Sequence, residues 1–194
     1  MTLITLDLSS IIHLTDEQYY KFATATAHKG LRIERSRTGE IEIMPPTGGE
    51  SSIRNANLTG NVYVWNEQTK LGVAFDSNVE FKLPKGGDRS PDVSWIQIDR
   101  WNALTLEQQK KFPPICPDFV IELRSETDRL RPLQDKMQEY LDSGLRLGWL
   151  INPKDRQVEI YRQGQEKEVL DNPATLSGED VLPGFVLDLQ KVLN

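Results

Sequence analysis

The sequence is poor in the residues that form disulfides and cysteine- or histidine-based metal sites. It contains one cysteine, Cys116, and two histidines, His13 and His28. A single cysteine excludes an internal disulfide and a cysteine zinc site. Both histidines lie in the N-terminal part, away from the carboxylates discussed below, so we assign them no role. We expect the protein in a reducing cytoplasm.

Long apolar runs and an excess of basic residues are also missing. No stretch approaches the roughly 20 apolar residues that span a bilayer, and residues 1–13 lack the basic start of a signal peptide. We therefore expect no membrane partner. The formal net charge of -6 argues against indiscriminate nucleic-acid binding. It still permits a local basic groove, and Arg124, Arg129 and Arg131 cluster in one segment, which is alternatively a solvated turn.

The composition is that of an ordinary globular protein, with 38% apolar and 27% charged residues in 194. This length predicts a single domain over residues 1–194, in which residues 1–45 form an N-terminal extension. Thr15 and Gln18 match a capping box and predict a helix to about Lys29. Alternating residues 31–43 then predict a hairpin with one buried face and one wet face.

The pattern beyond the Pro-Pro-Thr-Gly-Gly break at 45–49 predicts a long helix to about Lys70. A strand from Val73 to Leu83 and a nearly continuous apolar strand from Pro91 to Ile98 follow. The apolar stripe predicted for the long helix contains Ile53, Asn57, Leu58, Val62 and Trp65.

The second half of the chain alternates strands and helices. A short helix is predicted around residues 104–111, a third core strand at Phe119 to Leu123, a hairpin at 147–161 and a closing tail around 182–185. A helix begins with Pro132 in its first turn and ends near Gly144. The predicted class is α/β (α+β), a mixed curved β-sheet flanked by helices with an N-terminal helix and hairpin extension.

Two carboxylates fall within the predicted core strands. Glu122 shares a strand face with Arg124, which lies about 6.6 Å along the strand. Asp118 is about 13 Å away and is expected to be a strand-entry or turn residue. Asp92 is the better partner for Glu122, because Mg²⁺ is typically held by one or two carboxylates with waters and substrate phosphates. Alternatively, Asp92 binds backbone amides and Glu122 forms a structural ion pair with Arg124.

Lys136 flanks the apolar stripe of the predicted helix that faces the sheet. Its long stem allows the ammonium to reach the two carboxylates, where it would orient an attacking water or stabilise charge on a phosphate. The alternative is a solvated lysine paired with Glu139 or Asp135.

Several motifs occur in a fixed order over about 140 residues. They are Met-Pro-Pro-Thr-Gly-Gly-Glu (44–50), Ser-Pro-Asp-Val-Ser-Trp (90–95), Pro-Asp-Phe-Val-Ile-Glu-Leu-Arg-Ser (117–125), Lys-Met-Gln-Glu-Tyr-Leu-Asp-Ser-Gly (136–144), Gly-Trp-Leu-Ile-Asn-Pro (148–153) and Leu-Pro-Gly-Phe (182–185). Through them the sequence resembles the Uma-type family of proposed endonucleases, within the PD-(D/E)XK superfamily. The resemblance implies a restriction-endonuclease-like core.

The resemblance also implies a catalytic site. Asp92 and Glu122 would bind Mg²⁺ or Mn²⁺ and activate water, and Lys136 would be the relocated catalytic lysine. Arg124 stands where the superfamily has that lysine and would contact a substrate phosphate. Glu50 matches a position that supplies an auxiliary ligand, although a glutamate is also favoured there by the helix dipole. The family often has an acidic residue at the place of Pro132.

Two functions follow. The first is a metal-dependent endonuclease that hydrolyses DNA phosphodiester bonds, with a homodimer expected because two strands are cut. The second is a catalytically weak or inactive module with the nuclease fold that binds nucleic acid or protein, motivated by Arg124, Pro132 and the acidic net charge.

Overall fold

The computed structural model describes residues 4–8, 11–44 and 46–193, so Pro45 of the predicted break lies outside the described residues. The strands are β1 (Ile4–Leu6), β2 (Arg32–Arg35), β3 (Ile41–Met44), β4 (Gly72–Phe75), β5 (Phe81–Lys82), β6 (Asp88–Arg89), β7 (Val93–Gln97), β8 (Phe119–Leu123), β9 (Leu147–Asn152), β10 (Gln157–Arg162), β11 (Glu168–Asp171), β12 (Thr175–Ser177) and β13 (Val186–Asp188). The helices are α1 (Asp16–Ala23), α2 (Gly49–Thr69), α3 (Ile98–Asn102), α4 (Leu106–Lys110), α5 (Leu130–Asp142) and α6 (Gln190–Leu193).

The central sheet is mixed, as predicted. Its strand order is β11-β10-β9-β8-β7-β4. Strands β8 and β9 run parallel, whereas β7 and β8 run antiparallel. Parallel neighbours need a crossover, and α5 supplies it between β8 and β9. The predicted hairpin of β9 and β10 is confirmed.

Strand β8 is buried on both faces, which explains its apolar sequence. One face contributes Phe119, Ile121 and Leu123 to an apolar cluster that also contains residues of α2 and the C-terminal segment. The other face places Val120 against Met137 of α5. Glu122 belongs to this second face by alternation. The predicted closing tail is confirmed, since its side chains belong to the first cluster.

The start of helix α1 agrees with the prediction from the sequence, whereas its end does not. Gln18 N donates to Thr15 Oγ1 at 3.3 Å in a complete capping box. Helix α1 ends at Ala23 rather than near Lys29, because the backbone is extended at Ala25 before a short 3-10 turn.

In α2 the prediction of a buried Ile53 is wrong, since it is 71% exposed. It lies five positions before the buried Leu58, an offset that turns it about 140° away from that face of the helix.

The predicted strand from Val73 to Leu83 is wrong as one element. Strand β4 belongs to the central sheet, and β5 belongs to a second sheet with the order β1-β3-β2-β6-β5. A turn separates them, in which Asp76 Oδ1 accepts a hydrogen bond from Asn78 N at 3.0 Å. The short helix predicted around residues 104–111 is confirmed as α4, whereas helix α3 before it was not predicted.

The N-terminal hairpin is present, but the expectation of a wet charged face is wrong. Strand β2 pairs with β3 on one side and with β6 on the other, so the hairpin continues into the segment that leads to β7. Glu34, on the charged face of β2, is fully buried. That face is covered because it meets α5 and β6, as described below. No helix of the described residues is long and apolar enough to cross a membrane.

Candidate active site

Asp92 directly precedes β7, and Glu122 lies on the adjacent strand β8 at the same level. Val93 of β7 pairs with Ile121 of β8 in antiparallel register, which places position 92 opposite position 122. Directly opposed residues in such a pair have their Cα atoms about 4.5–5.5 Å apart. Asp92 Oδ2 also accepts a hydrogen bond from Leu123 N at 2.8 Å. The backbone of β8 therefore fixes the orientation of the Asp92 carboxylate beside Glu122.

The side chain of Lys136 extends from α5 to Glu122. Its Nζ lies 2.9 Å from Glu122 Oε1 and 3.0 Å from Glu34 Oε1, and it donates to Ser90 O at 3.2 Å. Tyr140, one turn further along α5, donates from its hydroxyl to Glu122 Oε1 at 3.0 Å. The lysine is buried, so the alternative of a solvated lysine is wrong.

The structure contains one part of the alternative description, since Asp92 accepts a hydrogen bond from a backbone amide, but the charged partners suggested for Lys136 and Glu122 are engaged elsewhere. Glu139 binds Arg89, and Asp135 pairs with Arg131 on the surface. Glu122 pairs with Lys136 rather than with Arg124.

Two residues of the hairpin enter the site, and the sequence analysis missed both. Arg32 Nη1 lies 3.2 Å from Asp92 Oδ1, and its Nη2 contacts Ser90 O and lies 3.4 Å from Glu34 Oε1. Glu34 also meets Arg89, with Nη1 3.3 Å from Glu34 Oε2. Alternation along β2 does put Arg32 and Glu34 on one face. It contains no signal that tells whether this face meets water or protein.

A buried layer of charge surrounds the pocket. Arg89 Nη1 lies 2.6 Å from Glu42 Oε2, and Arg89 Nε lies 2.7 Å from Glu139 Oε2. Five carboxylates thus face three cations, and the set carries two net negative charges when all are ionised. We call this set the site cluster, and it consists of Glu34, Glu42, Asp92, Glu122, Glu139, Arg32, Arg89 and Lys136.

Burial and neighbouring charges shift the pKa values of Glu122 and Glu34 in opposite directions. Burial raises the pKa of Glu122 to about 7; Lys136 acts against this rise, and Asp92 and Glu34 add to it. Burial also opposes ionisation of Glu34, but Lys136, Arg32 and Arg89 outweigh it and lower the pKa of Glu34 below its ordinary value. Burial by itself would lower the pKa of Lys136, yet Glu122 and Glu34 hold it above the usual lysine range. The ammonium is therefore charged at neutral pH.

The donor set fits a small oxygen-bound divalent cation. Within residues 4–8, 11–44 and 46–193, no group of three or more His, Cys, Asp or Glu side chains is arranged to hold a metal ion. Asp92 and Glu122 supply the one or two carboxylates that Mg²⁺ commonly takes from protein. The two excess negative charges of the site cluster match one divalent ion, which would also relieve the repulsion between Glu122 and Asp92.

The other residues predicted for the site lie in different surroundings. Arg124 Nη1 lies 2.8 Å from Asp155 Oδ2, and Arg124 Nε donates to Asp128 O at 3.1 Å. Glu50 is an exposed residue in the first turn of α2 and pairs with Arg54 at 2.7 Å. Asp118, expected to be a strand-entry or turn residue, directly precedes β8, and it accepts from Gln97 N at 2.8 Å. The phosphate contact of Arg124 and the auxiliary role of Glu50 stay predictions.

The fold is similar to that of a solved nuclease-fold structure. This structure, described as a putative nuclease belonging to DUF820 from Anabaena variabilis, superposes with a TM-score of 0.70. It covers 83% of this chain and 89% of its own, at 21% sequence identity, a level at which the similarity shows the fold. The family model Uma2, "Putative restriction endonuclease", matches residues 16–190, and the chain belongs to this family. No curated protein matches the chain.

Proposed function

We propose that the protein is a Mg²⁺- or Mn²⁺-dependent endonuclease that hydrolyses phosphodiester bonds of DNA. The observation that carries this proposal is the buried Lys136 ammonium, 2.9 Å from Glu122, on a strand where Asp92 is the opposing residue. Burying two carboxylates and a lysine together is costly, and such groups concentrate at functional sites. Membership in a family of restriction endonucleases supports a nucleic acid as the substrate.

Each group has a distinct role in this proposal. Asp92 and Glu122 would hold the metal ion, which when bound supplies a Lewis acid and an activated water. Lys136 stabilises negative charge on the phosphate, and its raised pKa favours this role over that of a proton acceptor. Tyr140 holds Glu122 through its hydroxyl.

The test is nicking of supercoiled plasmid by the purified protein with Mg²⁺ or Mn²⁺. We expect cleavage that EDTA abolishes, and losses of about 100-fold or more in Asp92→Asn, Glu122→Gln and Lys136→Met, as for other groups that act on the transition state. Asp135→Asn is the matched control, because it removes an exposed carboxylate next to Lys136 that pairs with Arg131. Cleavage that persists in Asp92→Asn would reject the assignment.

A nuclease-fold module without catalysis is the second candidate. The ion pair between Arg32 and Asp92 favours it, because a guanidinium on the carboxylate competes with a metal ion. Calorimetric titration separates the two functions: a folded protein that binds no Mn²⁺ at millimolar concentration would favour the module without catalysis. Sedimentation of the protein with and without duplex DNA tests the expected homodimer.

A further inference from the structure

Arg32 has the most exposed side chain of the site cluster. Its side chain is 27% exposed, whereas that of Asp92 is 10% exposed and that of Glu34 is fully buried. The guanidinium reaches Asp92 Oδ1 with Nη1 and Ser90 O with Nη2. Arg32 is therefore the cation of the site cluster with the easiest access to a ligand arriving from solvent.

The hydrogen bonding of Arg32 is incomplete. Its Nε is buried and, among the described residues, has no hydrogen-bond partner. A buried N–H without a partner carries a desolvation cost of about 1–3 kcal/mol. Guanidinium presents its donors as a planar fork that matches phosphate oxygens two at a time, so a phosphate bound after the Arg32 side chain moves would satisfy this donor.

Arg32 and a divalent cation compete for one carboxylate. Asp92 Oδ2 is occupied by the backbone N–H of Leu123, so Oδ1 is the oxygen that faces Arg32. Asn55 Nδ2 approaches the same oxygen at 3.4 Å. Lys136 is held by Glu122 and Glu34 and does not compete for Asp92. A cation at Asp92 would thus weaken the attraction that holds Arg32 in place.

We propose that Arg32 is a substrate-binding residue that a divalent cation at Asp92 displaces from this carboxylate, after which its guanidinium binds a phosphate of the nucleic acid. The inference rests on the proposed function and adds to it a residue from the N-terminal hairpin. Arg32 neutralises Asp92 before the metal arrives and neutralises the substrate afterwards. The positive charge of Arg32 thus balances Asp92 in the metal-free protein and a phosphate in the complex with nucleic acid.

The first test measures metal affinity without nucleic acid. In calorimetric titrations with Mn²⁺ alone, we expect Arg32→Gln to bind about fivefold more tightly than the unmodified protein, because a competing charge near the ligand is gone. Arg146→Gln is the matched control. It removes an equal charge at the opposite end of the central sheet, where Arg146 pairs with Asp180.

The second test measures affinity for a fluorescent DNA duplex with Ca²⁺ as the divalent ion, by anisotropy at several salt concentrations. We expect Arg32→Gln to bind about tenfold more weakly and to reduce the salt slope by about one, as for the loss of one phosphate contact. Arg32→Lys should recover part of the affinity, since it keeps the charge but not the fork.

The outcomes separate the inference from the proposed function. If the unmodified protein binds no Mn²⁺, both the proposed function and the proposed role of Arg32 are rejected. If the unmodified protein binds Mn²⁺ but Arg32→Gln binds it no more tightly, or loses no DNA affinity, only the inference is overturned. Should Arg32→Gln not fold, the Nε–H resonance of Arg32 in the unmodified protein decides: we expect it to shift with Mg²⁺, and an unmoved resonance contradicts the displacement.

Discussion

Lys136 Nζ lies 3.0 Å from the carboxylate of Glu34, although 102 positions separate the two residues in the chain. This contact joins the N-terminal hairpin to α5. The same ammonium lies 2.9 Å from Glu122, so it is shared between an acid of the hairpin and an acid of the central sheet. The hairpin therefore takes part in the electrostatics of the candidate active site.

We expect Glu34→Gln to destabilise the protein strongly. The change leaves Lys136, Arg89 and Arg32 with one carboxylate fewer in a buried place, and breaking a buried ion pair on one side costs about 3–5 kcal/mol. Urea denaturation at pH 7 measures the free energy of unfolding. Glu50→Gln is the control, because an exposed ion pair contributes about 0–1 kcal/mol. Equal stabilities of the two variants would contradict the description of Glu34 as an essential partner.

The strand pair that carries the two carboxylates was predictable from the sequence, whereas the hairpin's contribution was not. Strand β8 is apolar at every position except Glu122, so an acid in a buried strand stood out. In β2, the charged residues Arg32 and Glu34 share one face, and this pattern is the same whether that face meets water or a buried lysine. Only the packing of α5 and β6 against β2 decides it.

The break between β4 and β5 did carry a local signal. Asp76-Ser77-Asn78 is a run of turn-favouring residues, and Asp76 accepts from the backbone of Asn78 in the structure. The apolar residues on both sides hid this run, because they fit one long strand equally well. Pairing with two different sheets, which the sequence does not encode locally, separates the strands.

We expect the buried carboxyl group of Glu80 to make the protein less stable as the pH rises. Burial raises the pKa of Glu80 to about 8, although the hydrogen bond from Tyr19 opposes this. The folded protein therefore binds a proton that the unfolded chain, with a pKa near 4.5, gives up. The stability from this group is full below about pH 4.5 and is lost as the pH rises towards 8.

Accordingly, we expect Glu80→Gln to be more stable than the unmodified protein by about 2–4 kcal/mol at pH 9, with the difference shrinking towards pH 5. Urea denaturation over this range measures it. The exposed Glu107, paired with Lys111 on α4, provides the control, since Glu107→Gln should shift stability equally at both pH values. A constant difference for Glu80→Gln would show that Glu80 is ionised in the folded state.

We expect the thiol of Cys116 to be unreactive in the folded protein. Burial raises the pKa of Cys116 to about 12, and the side chain is fully buried among apolar residues. Because the thiolate is the reactive form, we expect no reaction with Ellman's reagent in the native protein and one equivalent in urea. Rapid labelling without denaturant would contradict the packing around Cys116.

Metal binding should depend on pH through Glu122. Its pKa of about 7 lies above the ordinary value near 4.5, so the folded protein holds this proton at pH 6 and has lost it at pH 8.5. A cation that binds the carboxylate must displace the proton. We therefore expect Mn²⁺ affinity to be about tenfold weaker at pH 6 than at pH 8, because the slope approaches one log unit per pH unit below the pKa.

Calorimetry of Mn²⁺ binding in two buffers with different ionisation enthalpies counts the protons directly. We expect close to one proton released at pH 6 and almost none at pH 8.5. Glu122→Gln keeps the shape of the side chain but cannot ionise, so any residual binding should show no proton release and no dependence on pH over this range. Equal Mn²⁺ affinity of the unmodified protein at pH 6 and pH 8 would contradict the prediction: Glu122 would then either not be a ligand or already be ionised at pH 6, and loss of binding in Glu122→Gln separates these two cases.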